Sequence, residues 1–144
     1  MAVRLLASSA ILPSKQPLPL FLEGVSAGFP SPAQDYVERS LDLNEFCVQH
    51  PAATFFVTVD GDSMIEAGIL PKDILVVDRS LTPKHGDVVI ASVFGELTVK
   101  TLELRPCVRL VPKNAKYRPI YIRGESELDI FGVVTNVIRR LVRG

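Results

Sequence analysis

The sequence predicts a mainly β protein, in which a curled and mostly antiparallel sheet with a barrel-like outline follows an extended N-terminal arm. Short apolar runs separated by turn signals begin at Thr54 and continue almost to the end of the chain. Six of the 11 prolines precede Thr54, where they remove backbone donors and favour extended conformations. No long run with helical periodicity competes with the strands. Many short strands at this spacing are typical of a sheet that curls on itself.

The predicted sheet begins with an alternating run. Phe55, Val57 and Val59 share one face of the first strand, because successive side chains of a strand point to opposite faces. The dipeptide Phe94-Gly95 is expected to form the turn of a hairpin. The other expected strands cover residues 74–77, 87–93, 96–104, 108–111, 120–122 and 130–137.

Two regions follow from this pattern. Residues 1–53 are expected to form a leader and arm with little regular structure, and residues 54–144 the β domain. Within the leader, the sequence predicts two short helices. One covers roughly Ala33 to Leu41 after a serine-proline pair that suits a helix start, and the other covers Leu43 to Gln49.

Composition narrows the classes of function. A chain of 144 residues that is 47% hydrophobic can bury a core in one small domain without disulfides. The 16 basic and 16 acidic residues cancel, which argues against a general nucleic-acid binder, because such a protein needs positive charge to offset phosphates. Cys47, Cys107, His50 and His85 do not form a zinc-ligand pattern, so neither a metal nor a cofactor is expected.

The N-terminal region has some features of a secretion signal. Arg4 precedes the apolar run Leu5 to Leu12, and Val25-Ser26-Ala27 resembles a signal-peptidase site. Prolines and charged residues separate the run from that site, however, whereas a secretion signal keeps the two close. No apolar run approaches the length that spans a bilayer. A cytoplasmic protein without a membrane segment is therefore expected.

Ser63 and Lys100 are the leading candidates for chemistry. Ser63 follows a glycine-containing turn after one apolar run, and Lys100 ends another. A serine becomes a nucleophile when a neutral lysine removes its proton, and burial among apolar side chains lowers a lysine pKa toward that state. Thr98 shares a strand face with Lys100 and is expected to hold its amine. Gly61 permits a tight turn, after which the amides of Ser63 and Met64 would face a developing oxyanion.

These residues also have an ordinary explanation. A serine in a Gly-Asp-Ser turn is commonly only a turn residue, and a lysine on a strand is commonly solvated. Upstream, however, the small residues Ala27 and Gly28 form a bond that a Ser-Lys site could cut. A chain that contains both a candidate nucleophile and a candidate cut site suggests self-processing.

Four runs, in this order and spacing, resemble the self-cleaving Ser-Lys family that includes LexA, phage repressors and UmuD-type SOS mutagenesis proteins, grouped as peptidase family S24. The UmuD-type branch, with its MucA-like members, is the most similar, and the resemblance covers roughly residues 20 to 138. The four runs are Gly61 to Met64, Pro71 to Asp78, Gly86 to Ala91 and Glu96 to Lys100.

The resemblance implies a LexA C-terminal-type peptidase fold with Ser63 as nucleophile, Lys100 as general base and Ala27-Gly28 as the bond cut. It also implies cleavage stimulated by a RecA filament on single-stranded DNA, and a homodimer. The cut form is expected to join a UmuC-type Y-family DNA polymerase in error-prone translesion synthesis. UmuD-type proteins usually have cysteine before that glycine, and alanine stands there in this chain, as in LexA-like sites.

Other interpretations remain open. The 27 residues before Gly28 are too few for the helix-turn-helix domain of a repressor, so direct sequence-specific DNA binding is not expected. A polymerase accessory subunit with an inactive Ser63 and Lys100 is one alternative. A signal-peptidase-like Ser-Lys protease is another, and it would need a membrane anchor. A third is a secreted β domain that is processed by another peptidase.

Overall fold

The computed structural model of the protein describes residues 2–8, 15–21, 37–124 and 128–142. One α-helix, α1 (Leu43–Cys47), and two 3-10 helices (Pro51–Ala53 and Ile65–Ala67) lie among the strands of this described part. The strands are β1 (Ala2–Ser8), β2 (Leu18–Phe21), β3 (Val37–Leu41), β4 (Thr54–Asp60), β5 (Ile74–Asp78), β6 (Val88–Val93), β7 (Glu96–Glu103), β8 (Arg109–Val111), β9 (Ile120–Tyr121) and β10 (Leu128–Ile138).

One large sheet organises the fold. Its strand order is β1-β4-β5-β10-β6-β7-β8-β9, and each neighbouring pair is antiparallel. β2 and β3 form a separate antiparallel pair. The sheet curls far enough for the edge strand β1 to contact β7. The prediction of a mainly β protein with a curled, antiparallel sheet is therefore confirmed.

The core has two layers, one on each face of the sheet. The alternation of side chains assigns neighbours on β6 to different layers, with Ile90 in the first and Val89 in the second. The first layer consists of Val3, Val57, Val59, Met64, Ile69, Leu75, Val77, Ile90 and Val99. The second consists of Val89, Ala91, Val93, Leu102, Leu110 and Val133. Both faces of the central strands are thus covered, as their nearly continuous apolar runs require.

The helix predicted for Ala33 to Leu41 is wrong in its described part. Residues 37–41 form β3, which pairs with β2, and tertiary pairing of this kind overrides a weak local helix propensity. The second predicted helix is present as α1, where the Asp42 carboxylate caps the first turn by accepting hydrogen bonds from the amides of Asn44 and Glu45. Across the described residues, no helix is long and apolar enough to cross a membrane.

The start of the leader also differs from the prediction of little regular structure. Residues 2–8 form β1, which pairs with residues 55–60 of β4, from Ala2 opposite Asp60 to Ser8 opposite Phe55. The Val3 side chain is only 8% exposed and belongs to the first core layer. The beginning of the chain therefore supplies an edge strand to the main sheet.

Candidate active site

Ser63 lies in a tight turn at the end of β4. The chain reverses at Gly61, whose φ of 117° is one that glycine tolerates and L-residues rarely adopt. Ser63 is only 1% exposed. The next residue, Met64, buries its side chain in the first core layer and precedes the 3-10 helix Ile65–Ala67, which anchors the turn to the core.

Lys100 lies close to Ser63 although their strands are not neighbours in the sheet, because the sheet curls. It lies on β7, which is flanked by β6 and β8, and it is 5% exposed. Its Nζ lies 3.0 Å from Ser63 Oγ, 2.7 Å from Thr98 Oγ1 and 3.2 Å from the carbonyl oxygen of Val99. The fold therefore brings together Ser63, Lys100 and Thr98, which are the three polar side chains that the sequence singled out.

These contacts match the bonding capacity of a neutral amine. A neutral lysine amine has two N–H donors and one lone pair. The Val99 carbonyl oxygen can only accept, and the Thr98 hydroxyl can accept the second N–H. The lone pair is then left for the proton of the Ser63 hydroxyl, at a distance normal for such a bond. This arrangement suits proton removal from the serine.

The surroundings favour the neutral form. Burial lowers the pKa of Lys100, and the charge of Glu96 opposes this only in part. Asp62, which the sequence placed close to Ser63, accepts a hydrogen bond of 2.5 Å from the Tyr117 hydroxyl. In the part of the chain that the structure describes, no carboxylate oxygen lies within ion-pair distance of the Lys100 amine.

A loop between β8 and β9 holds the serine turn, although no sequence motif predicted this contact. The amide of Lys113 donates to the Ser63 carbonyl oxygen at 2.8 Å. The Asn114 side chain, which is 6% exposed, donates through Nδ2 to the Asp62 carbonyl oxygen at 2.9 Å. In the opposite direction, the Glu66 amide donates to the carbonyl oxygen of Lys113. The backbone on either side of the serine is therefore fixed by this loop.

An open cleft leads from the surface to the amine. Its volume is about 430 Å³, and Thr98 and Lys100 lie in its wall. The other lining residues combine apolar and charged side chains: Val93, Phe94, Glu96, Tyr117, Arg118 and Ile120. The cleft reaches Lys100, whose amine lies 3.0 Å from Ser63 Oγ.

The predicted cut site, Ala27 and Gly28, lies outside the described residues. The roles of Ser63 and Met64 amides as oxyanion donors, and of Ser63 and Lys100 as reacting groups, remain predictions. The contact between Thr98 and the lysine amine, which the alternation of side chains on a strand predicts, is present.

Comparison with known proteins extends these observations. The Peptidase S24-like family matches residues 19–135. The chain belongs to this family. The protein SamA of Salmonella typhimurium is 49% identical to it over 134 residues, which cover 90% of this chain and 94% of SamA.

Two further relatives match most of the chain. ImpA of Salmonella typhimurium is 52% identical over 124 residues, which cover 85% of this chain and 83% of ImpA. MucA of Escherichia coli is 49% identical over 120 residues, which cover 83% of this chain and 82% of MucA. These similarities confirm the resemblance to the UmuD-like branch that the sequence motifs indicated.

Proposed function

We propose that this protein is a UmuD-type serine peptidase that cuts its own chain between Ala27 and Gly28. The observation that supports the proposal most directly is the distance of 3.0 Å between Lys100 Nζ and Ser63 Oγ in a buried site. Burial also lowers the pKa of Lys100, as a general base in this position requires. Membership of the Peptidase S24-like family supports the same reaction class.

In the proposed reaction, Ser63 Oγ attacks the carbonyl carbon of Ala27 while the neutral Lys100 amine accepts the hydroxyl proton. The amides of Ser63 and Met64 stabilise the negative oxygen of the tetrahedral intermediate. The C–N bond then breaks, and Lys100 returns its proton to the nitrogen of Gly28. Water, deprotonated by the same amine, finally attacks the carbonyl carbon of Ala27. The ester bond to Ser63 Oγ then breaks, and Lys100 returns the proton to this oxygen.

Small residues at the cut site suit this geometry. The cleft beside Lys100 can hold an extended segment, and the absence of a side chain on Gly28 lets the backbone come close to Ser63 Oγ. The neighbouring Ala27 adds only a methyl group. A large or charged side chain at either position would collide with the buried site or bring an unpaired charge into it.

The biological setting of the proposal follows from the UmuD-like relatives. Cleavage in the cytoplasm is stimulated by a RecA filament on single-stranded DNA, which favours the pose in which the cut site is docked. The protein acts as a homodimer. Its cut form joins a UmuC-type Y-family DNA polymerase in translesion synthesis during the SOS response.

Self-cleavage of the purified protein tests the chemistry without any partner. Incubation at mildly alkaline pH should yield a product that mass spectrometry identifies as residues 28–144, because only neutral lysine acts as the base. Ser63→Ala, Lys100→Ala and Lys100→Arg should each abolish the product, since arginine stays protonated. Lys84→Ala, at an exposed lysine, is the matched control and should cleave at the normal rate.

Two results would contradict the proposal. Normal cleavage in the Ser63 or Lys100 variants would show that another pair reacts. No cleavage of the wild-type protein at any pH, with or without a RecA filament, would leave a non-catalytic polymerase accessory subunit as the better interpretation.

A further inference from the structure

Both described strands that precede the proposed cut pair with strands that follow it. β1 pairs with β4 in the main sheet, and β2 pairs with β3 in the smaller one. The bond between Ala27 and Gly28 lies in the sequence between β2, which ends at Phe21, and β3, which begins at Val37. A break anywhere in residues 22–36 therefore divides the chain without dividing either strand pair.

Additional contacts join residues before the proposed cut to residues after it. The amide of Gln16 donates to Asp42 Oδ2 at 2.5 Å, and the other oxygen of this carboxylate caps α1. Asp42 is buried, and the bond from Gln16 is the main cause that lowers its pKa. An ion pair of 3.3 Å between Lys15 and Glu45 adds little, because both side chains are exposed.

The anchor of β1 is its buried valine. Val3 packs in the first core layer, which also contains Met64 next to the serine turn. β1 further contacts β7, the strand that holds Lys100. Loss of β1 would therefore expose apolar core surface and leave the backbone groups of β4 unpaired along a sheet edge.

We propose that cutting does not by itself remove the N-terminal segment. Residues 1–27 remain bound to residues 28–144 as a non-covalent complex, held by the β1–β4 and β2–β3 pairings, and their departure is a separate second step. For the natural cut the inference rests on the proposed function. The pairing argument itself holds for any break in residues 22–36.

The role of the cut is then to allow another chain to displace β1 and β2. While the chain is intact, β1 stays close to the edge of β4 at the high effective concentration of a tethered segment. After the cut the segment is an independent ligand, so dilution or a competing strand can remove it. Departure of β1 leaves one edge of β4 unpaired, and an extended segment from a partner can add to such an edge.

An exogenous cut tests the inference independently of self-cleavage. A recognition site for a sequence-specific protease is inserted after Ala27 in the full-length Ser63→Ala protein, and complete cutting is verified by denaturing mass spectrometry. Native mass spectrometry at micromolar protein should then show both pieces together, at the mass of the uncut chain plus one water. Complete loss of the peptide immediately after cutting would overturn the proposal. A failure of self-cleavage would leave this result unaffected.

Two variants identify the contacts that retain the peptide. Val3→Ala should raise the dissociation constant of the peptide about tenfold, because it removes buried apolar surface. Leu18→Ala removes a comparable apolar side chain that is 62% exposed on β2, and it should change retention little. Circular dichroism verifies that the larger piece stays folded. Equal retention of the peptide in the two variants would show that β1 does not stay paired with β4 after cutting.

Discussion

The Thr98 hydroxyl offers the sharpest test of how the lysine is held. Thr98→Val keeps the shape and strand preference of the residue, but it removes the acceptor that lies 2.7 Å from Lys100 Nζ. A hydrogen bond between neutral groups contributes about 1 kcal/mol net, and each 1.36 kcal/mol corresponds to a tenfold change in rate. We therefore expect the maximal rate of self-cleavage at high pH to fall roughly fivefold.

The same variant should shift the pH profile in a defined direction. The hydroxyl accepts a hydrogen bond from both forms of the amine, and the bond to the charged form is the stronger of the two. Its removal thus destabilises the charged form more and lowers the pKa of Lys100 further than burial already does. The midpoint of the rate profile should move to lower pH while its plateau falls. A purely structural defect would lower the plateau alone.

The assay measures the rate of appearance of the shorter product between neutral and alkaline pH. Thr101→Val is the matched control, because Thr101 is a buried threonine on the same strand but on the opposite face from Lys100. It should cleave with a normal profile. If Thr98→Val cleaved at the wild-type rate at every pH, or if its midpoint moved upward, the assigned role of this hydroxyl would be refuted.

Three further substitutions test the surroundings of the site and the fold. Asn114→Ala should slow self-cleavage about tenfold with little change in the pH midpoint, because it frees the serine turn without touching the amine. Gly132→Ala should lower the unfolding temperature, since its Cβ would lie 2.6 Å from Val77 Cγ1. Asp73→Ala should cost about 1.5–3 kcal/mol in urea unfolding at neutral pH, because two charge-assisted hydrogen bonds from the half-exposed Arg139 are lost. Hydrogen bonding by Arg139 lowers the pKa of Asp73, so this difference should persist above the ordinary value of 3.8 and disappear as the pH falls through the folded-state value.

Much of the sheet could be predicted because its signals are local. The turn at Phe94-Gly95 joins β6 and β7 with positive φ values of 51° and 81°, which is the backbone form that a two-residue hairpin needs. The error at residues 37–41 has the opposite origin. β3 forms because β2 is available to pair with it. The local sequence pattern does not reveal a pairing partner some twenty residues away.

In the candidate site, too, the features set by local sequence could be predicted, whereas those set by distant parts of the fold could not. The Gly61 turn and the shared face of Thr98 and Lys100 follow from local rules. The approach of Lys100 to Ser63 depends on the curl of the whole sheet, and motif resemblance rather than periodicity indicated it. The loop that contains Asn114 was missed because a short polar run between strands has the composition of any surface loop. Only its folded position shows that its buried amide holds the serine turn.

The buried lysine is difficult to explain by stability alone. Burial of a charged amine is costly unless a carboxylate pairs with it, and in the described part of the chain no carboxylate does so. Burial instead lowers the pKa of Lys100, and Thr98 Oγ1 and the Val99 carbonyl oxygen can accept the two N–H bonds that a neutral amine retains beside Ser63. A fold selected for stability alone would place an apolar residue at this position of β7. A buried lysine at this position, at a cost to the fold, fits the proposed role of Lys100 as a base that is neutral near physiological pH.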